Sequence, residues 1–320
     1  MKATIRANSN LALIKYWGNK DPYWNIPTND SISVSLDALK STTKLEFGDD
    51  YKDDFILNDK LLTGEGKDRI DFVLAKFREF SRFDTPIHAE SENNFPTAAG
   101  IASSASGFGA LAHALYEASG LAYTNDDVSR LARLGSGSAA RTIHPGYAHW
   151  FAGENHETSY AKQIKPPDDL KIIVAITEKS AKPVSSFEAM ELSKTQSPFF
   201  VEKAIQSKDN IEPMLTALKE NDFSTLGQIA QKEANNLHAV INTTGLGIPY
   251  WNARTLELMQ FVNALRENEN IEAYYTIDAG PQVKILCKPE SVKPIVNRLQ
   301  NLEVAQDIIL SGVGNGSQVM

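Results

Sequence analysis

The stretch Pro96-Thr97-Ala98-Ala99-Gly100-Ile101-Ala102-Ser103-Ser104-Ala105-Ser106-Gly107 decides how the rest of the chain is read. A proline-led turn passes into small residues, then into paired serines, then into a helix that the pattern places over residues 105–118. Small residues let a ligand approach the backbone. A helix start offers unpaired N–H groups and the positive end of a dipole, and serine hydroxyls add donors without bulk. Together these features suit a phosphate. They also suit a serine-capped helix packed closely on a sheet, and composition alone leaves both readings open.

Working outward, residues 31–36 (Ser-Ile-Ser-Val-Ser-Leu) alternate as a half-buried strand, and residues 42–47 and 54–57 read as further strands. Ile70, Val73, Leu74 and Phe77 recur at helical spacing over residues 68–80. A helix over residues 125–134 has Thr124 as its N-cap, with Asp127 three residues on as an imperfect capping box. Residues 170–176 read as a buried strand behind a Pro166-Pro167 loop. Beyond Thr177 the pattern turns mostly helical over 185–192, 199–206, 210–220, 223–239 and 255–268. Strands follow at 274–277 and 283–287, then a helix at 289–300 and a strand at 307–310. Regular strand–helix alternation is missing, so an α+β layer architecture is expected rather than a doubly wound sheet. The change in character divides the chain into residues 1–185 and 186–320. At roughly 150 residues per domain, two domains also suit the length of 320.

The bulk properties exclude several classes. With 32 basic and 40 acidic side chains, the net charge of −8 argues against nucleic acid or an anionic membrane as partner. No apolar run approaches the roughly 18 residues of a membrane span. Residues 1–8 have no apolar core and do not read as a secretory signal. The single cysteine, Cys287, permits no internal disulfide, and a cytoplasmic location is expected. The six histidines show no His-Glu-x-x-His spacing, and no Gly-x-Ser-x-Gly elbow or Gly-x-x-x-x-Gly-Lys-Ser/Thr loop occurs. No resident metal site is expected.

Three other segments carry chemistry. Gly135-Ser136-Gly137-Ser138-Ala139-Ala140-Arg141 formally matches a dinucleotide fingerprint, but it follows a helix rather than a strand, so a Rossmann site is rejected. Arg141 within it has a planar fork suited to carboxylate or phosphate, or to an ordinary ion pair. Thr276-Ile277-Asp278-Ala279-Gly280-Pro281 joins two strands and could be a plain turn. Lys15, in the apolar run Asn10-Leu11-Ala12-Leu13-Ile14-Lys15-Tyr16-Trp17-Gly18, needs an anionic partner, either a structural carboxylate or a ligand.

Taken together, these segments resemble the GHMP superfamily of small-molecule kinases, whose phosphate loop Pro-x-x-x-Gly-x-x-Ser-Ser-Ala is matched by Pro96 to Ala105. More narrowly, the chain is similar to the diphosphomevalonate and phosphomevalonate decarboxylase family. Four motifs carry that resemblance in order: residues 10–18, 96–106, 135–141 and 276–281. The resemblance implies a two-domain α+β fold with the active site in a cleft between the domains, and a homodimer. It also implies ATP and Mg²⁺, with ATP phosphorylating the tertiary C3 hydroxyl of a mevalonate 5-phosphate ester before phosphate and CO₂ leave. By resemblance, Asp278 takes or orients the hydroxyl proton, Arg141 holds the substrate carboxylate and Lys15 screens the phosphoryl and carboxylate charge. Asn10, Tyr16, Ser136, Gly137 and Ser138 bind substrate. Gly100, Ser103, Ser104 and Ser106 cradle the ATP phosphates with Mg²⁺, and Asn93 is the candidate adenine contact.

The chain departs from the family pattern where the substrate's phosphate tail would lie. The second lysine of Lys-Tyr-Trp-Gly-Lys is Asn19, with Lys20 one step on, and Ser185-Ser186 is followed by Phe187 where an arginine can stand. Each charge-assisted phosphate contact contributes roughly 1.5–3 kcal/mol, so two absent cations imply a less charged tail. Residues 250–256 also look more like phosphomevalonate decarboxylases. The expected substrate is therefore (R)-5-phosphomevalonate, giving isopentenyl phosphate. The alternatives are the 5-diphosphate, or a kinase that does not decarboxylate.

Overall fold

The computed structural model describes residues 1–95, 103–165, 169–180, 184–245 and 250–320. Residues 96–102, among them Gly100, lie outside the described residues.

The N-terminal unit runs β1 (Lys2–Ile14), β2 (Asn19–Asp21), β3 (Ile26–Pro27), β4 (Ser31–Phe47), β5 (Asp54–Leu57), β6 (Lys60–Leu61), α1 (Glu65–Ser81), β7 (Ile87–Asn93), α2 (Ser103–Ser119) and α3 (Asn125–Gly135). A 3₁₀ turn (Gly137–Arg141), β8 (Tyr147–Trp150) and β9 (Ala161–Ile164) follow. The C-terminal unit has β10 (Lys171–Ile176), α4 (Ser186–Gln196), α5 (Phe200–Asp209), α6 (Ile211–Glu220), α7 (Phe223–Asn242) and α8 (Ala253–Glu269). It ends with β11 (Ala273–Ile277), β12 (Val283–Cys287), α9 (Pro289–Leu302), β13 (Asp307–Ser311) and β14 (Ser317–Val319).

Among the described residues the main sheet runs β14-β1-β4-β7-β5-β6, with β8 on β4 and β9 on β8. All its pairs are antiparallel except β5 with β7. The second sheet, β11-β12-β10-β13, is fully antiparallel. This is the α+β architecture anticipated from the mixed pattern. β10 is central in the second sheet, although the division at 185 counts it with the first half. The last strand returns to the first sheet, where Ile5 faces Val319.

The long strand β1 is not visible as alternation. From Ala7 to Ile14 it is buried on both faces, and its polar residues Asn8, Ser9 and Asn10 are buried too. Residues 31–36 and 42–47 form one continuous strand, β4, rather than two. Its register with β1 slips between Asn8 and Asn10, where a bulge re-aims the following side chains.

Three cores hold the layers. Ile5, Leu45, Phe47, Val73, Phe77, Leu111 and Leu131 pack α1–α3 on the main sheet. Val262, Leu265, Ile285 and Ile295 pack α8 and α9 on the second. Leu11, Leu13, Ile32 and Val34 meet Ile172, Val174, Leu226, Tyr274 and Leu286 in a third cluster that joins the units. Along β10, Ile172, Val174 and Ile176 face this joint while Ile173 and Ala175 face the α8–α9 core. Burial on both faces explains the unbroken apolar run. The Thr124–Asp127 capping box forms in both directions at the start of α3.

Candidate active site

A cavity of about 710 Å³ opens between the two units. Asn10, Lys15, Tyr16, Ser103, Ser104, residues 135–138 and Arg141 wall it on one side, and Ser185, Ser186, Phe187, Asp278 and Ala279 on the other. Four segments far apart in sequence therefore meet at one place.

At one end the chemistry is ionic. Lys15, just past β1, is 1% exposed. Its Nζ donates to the Ala12 carbonyl at 2.7 Å and to Asp278 Oδ1 at 2.7 Å. Asp278 stands in the turn between β11 and β12, which Gly280 N–H tightens by donating to its carbonyl at 2.8 Å. Lys284 on β12, itself buried, places Nζ 3.2 Å from Asp278 Oδ2. A quarter of the Asp278 side chain faces the open cavity. Burial pushes its carboxyl up, but the two ammonium groups outweigh burial and hold it well below the usual carboxylate range. Burial lowers Lys15, with Asp278 opposing. The His238 imidazole bonds the Asp278 carbonyl through Nε2 at 3.0 Å, and burial pushes it down to about 3, so it is neutral at pH 7.

Arg141 is buried beside this pair. Its guanidinium donates to Ser31 Oγ at 2.6 Å and Asn10 Oδ1 at 3.3 Å, and lies 5.7 Å from the Trp150 ring. Its Nε is buried with no protein partner among the described residues. Burial lowers it to about 10, so it stays charged at neutral pH. Asn10 Nδ2 donates to the Ser138 carbonyl at 3.0 Å and Thr142 Oγ1 at 2.8 Å. Asn10 thus ties β1 to the 3₁₀ turn and holds the arginine fork.

The other end mixes neutral hydrogen-bonding groups with one arginine and two acids. Helix α3 ends at Gly135, and residues 136–138 lead into the 3₁₀ turn. A Cβ at Gly137 would lie 2.8 Å from the Tyr16 ring, which explains the glycine by close approach. Ser136 Oγ is 3.2 Å from Ser104 Oγ and 3.3 Å from Ser138 Oγ. Tyr16 OH donates to Asn19 Oδ1 at 2.7 Å, and Asn19 Nδ2 donates to Asn25 Oδ1 at 3.1 Å. Asn19 is fully buried behind the tyrosine. Lys20 Nζ instead bonds the Gly153 carbonyl at 2.5 Å and pairs with Glu154 at 3.1 Å, away from the wall. Arg69 lines this end, anchored by Nε to the Gly135 carbonyl at 3.0 Å and 4.8 Å from the Phe108 ring. Tyr23, Phe72, Phe187, Glu65 and Asp68 complete the wall there.

Two sequence candidates stand elsewhere. Asn93, at the end of β7, accepts from Ser41 Oγ on β4 at 2.5 Å, and its N–H donates to Asn58 Oδ1 in the turn between β5 and β6. Ser106, on the buried face of α2, has its Oγ 2.7 Å from Ser41 Oγ. Neither reaches the cavity wall, because the inner face of α2 and the strand ladder engage them. Lys284 and Arg69 escaped the sequence reading. A lysine inside the apolar strand Val283–Cys287 is itself a signal of a buried anion. Arg69 has no such signal, since it lies on a helix surface that only the tertiary fold turns to the cavity. Among the described residues, no group of three or more His, Cys, Asp or Glu could hold a metal ion. No helix among them is long and apolar enough to cross a membrane.

Residues 7–161 match the diphosphomevalonate decarboxylase-like N-terminal domain, and residues 172–318 match the mevalonate 5-diphosphate decarboxylase C-terminal domain. The chain is 32% identical to phosphomevalonate decarboxylase of Haloferax volcanii over 100% of its own length and 98% of that protein. Mevalonate diphosphate decarboxylase from Staphylococcus aureus superposes with a TM-score of 0.95 at 34% identity, covering 100% of this chain and 98% of that one. A structure described as MDDEF in complex with MVAPP, AMPPCP and magnesium superposes with a TM-score of 0.93 at 32% identity, covering 100% and 99%.

Proposed function

The chain belongs to the diphosphomevalonate decarboxylase family, with the GHMP kinase fold, and from that premise we propose that it decarboxylates (R)-5-phosphomevalonate with ATP, giving isopentenyl phosphate. ATP-dependent decarboxylation of a mevalonate phosphate ester is the family reaction. A tertiary hydroxyl leaves poorly, so the γ-phosphoryl group is first transferred to the C3 oxygen. The C1–C2 electron pair then forms the C2=C3 bond as the C3–O bond breaks, releasing CO₂ and phosphate.

In this reading the ionic end of the cavity holds the reacting atoms. Arg141 binds the C1 carboxylate with the guanidinium edge that the protein leaves unused. Asp278, held ionised by Lys15 and Lys284, is a weak proton acceptor. It serves by accepting a hydrogen bond from the C3 hydroxyl and fixing its direction, and the proton passes to a phosphate oxygen or to solvent as the new P–O bond forms, which suits a phosphoryl transfer with a loose transition state. Lys15 neutralises charge on the phosphoryl group in place, without reorganisation. Ser103 and Ser104 at the start of α2 offer hydroxyls to the ATP phosphates. Hydroxyls without a carboxylate cluster suit a Mg²⁺ that arrives on ATP with phosphate and water as its main ligands, where it neutralises phosphate charge.

The observation that carries the choice of substrate is the engagement of Asn19 and Lys20 away from the cavity. Among the described residues Arg69 is the cation left for the tail, and Glu65 and Asp68 share its wall. Arg69 can pair with one phosphate there, whereas a second would find no further cation among the described residues and two acids beside it. The test is steady-state kinetics with ATP and Mg²⁺ on both esters, following ADP and CO₂ together. The monophosphate should show the higher kcat/KM, with equal ADP and CO₂. Diphosphate turnover about tenfold better, equivalent to 1.4 kcal/mol, would overturn the choice. ADP without CO₂ would mark a kinase.

A further inference from the structure

Lys15 lies one residue past the end of β1, where the ladder no longer supplies partners for its peptide groups. Buried charged side chains from the C-terminal helices take both. Glu233 Oε2 on α7 accepts the Lys15 N–H at 2.9 Å. Lys203 Nζ on α5 donates to the Lys15 carbonyl at 2.5 Å, and Asn29 Nδ2 donates to the same oxygen at 3.1 Å. Glu233 also accepts from Ser207 Oγ at 2.9 Å and Asn210 Nδ2 at 2.7 Å, and Lys203 also donates to Asn29 Oδ1 at 3.1 Å. Glu233 and Lys203 are 0% and 3% exposed, and neither lines the cavity.

Removing a carboxylate and an ammonium from water is costly, and well-packed apolar residues often serve stability as well or better. Here both charges are spent on one residue, whose side chain ends on Asp278. We infer that Glu233 and Lys203 form a two-sided clamp on the Lys15 backbone and act as positioning residues for the reaction. Through them the helices of one unit set the place of a reacting lysine carried by the other. The inference rests on the proposed reaction for its kinetic consequence, but the clamp has an electrostatic signature independent of turnover. The charged groups around Lys15 are Asp278 in the turn, Lys284 on β12, Arg141 in the 3₁₀ turn, Glu233 on α7 and Lys203 on α5, with neutral His238 behind them. Burial lowers Lys203 to about 8, with Glu233 opposing. Removing Glu233 takes a negative charge from the Lys15 environment, and removing Lys203 takes a positive one.

The experiment uses the full chain with ¹³Cε-labelled lysine, the Lys15 resonance being assigned with K15R. Titration and steady-state kinetics are compared for wild type, E233Q, K203M and K203R. The Lys15 midpoint should fall in E233Q and rise in K203M. The kcat of both should drop about 10- to 100-fold, the order expected for a displaced reacting group, with both KM values nearly unchanged. K203R, which keeps the charge, should recover most of the loss. Midpoints that stay put or move together, or a kcat loss that only follows a lower Tm, would overturn the clamp. If K203M or E233Q does not fold, E233D carries the test, because its shorter arm draws the carboxylate back from the Lys15 N–H: kcat should fall with both KM values nearly unchanged and the Lys15 midpoint should fall by less than a full charge removal gives; an unchanged kcat and midpoint would overturn the clamp. A wild-type protein that releases no CO₂ from either ester would sink the proposed function, while the titration would still judge the clamp.

Discussion

The two ends of one cavity are built on opposite principles. At the end proposed for the reaction, Lys15 and Lys284 pair with the single carboxylate of Asp278, and Arg141 stands beside them, held by Ser31. At the tail end, Tyr16, Asn19 and Asn25 form a chain of neutral hydrogen bonds, and Arg69 is the cation on a wall shared with acids and aromatic rings. On the proposed reading, charge is concentrated where bonds would break, and the end that would only grip the substrate carries fewer cations. A fixed electrostatic field is worth most where charge develops in the transition state. At a gripping site, charge count sets which ligand fits.

The largest effect should come from D278N, which should lower kcat by about 10²- to 10³-fold, the usual span for loss of one preorganised electrostatic contact. It also leaves Lys15 and Lys284 buried without their counterion, a loss of about 3–5 kcal/mol by analogy with broken buried pairs. Thermal melts and single-turnover assays would separate the two. Near-normal turnover would break the assignment of this end as the reaction end.

K284M should act next, through pH. Asp278 has a depressed folded-state pKa, so its ion pairs contribute stability above the unfolded carboxylate value of about 3.9 and lose it as pH falls through the folded value. Removing one ammonium raises the folded value, so the acid-side loss of stability should begin at higher pH in K284M. Melting temperatures between acid and neutral pH would show it, and superimposable profiles would deny Lys284 its part.

N19K sharpens the comparison from the tail end. One added charge-assisted phosphate contact is worth roughly 1.5–3 kcal/mol, so kcat/KM for the diphosphate relative to the monophosphate should rise about tenfold after the cost of freeing Tyr16. An unchanged ratio would mean that the tail lies elsewhere. The smallest effect belongs to Y16F, which removes a neutral hydrogen bond of about 1 kcal/mol. KM should rise a few-fold while kcat holds.

How much of this was legible in the sequence differs by region. The amphipathic helix around Val73 and Phe77, the Thr124 capping box and the doubly buried run Ile172–Ile176 carry local signals, because periodicity and capping are properties of neighbouring residues. β1 did not, since burial on both faces erases alternation, and β8 and β9 are too short to show it. Of the site, Asp278, Arg141, Lys15 and the serine–glycine turn stood out as charged or small residues out of place in their local context. Arg69 looked like any helix-surface arginine, and Glu233 and Lys203 like ordinary charges on amphipathic helices.

The sequence by itself determined the layer class, the four motifs and the residue types available for chemistry, because these depend on spacing along the chain. Only the tertiary structure decided which of them meet. It buried Ser106 against Ser41, engaged Asn93 with Ser41 and Asn58, sent Lys20 to Gly153, brought Lys284 to Asp278 across a turn, and set Glu233 and Lys203 on the backbone of Lys15. Contacts between residues some 200 positions apart follow from how two sheets and their helices pack, and no local pattern encodes that.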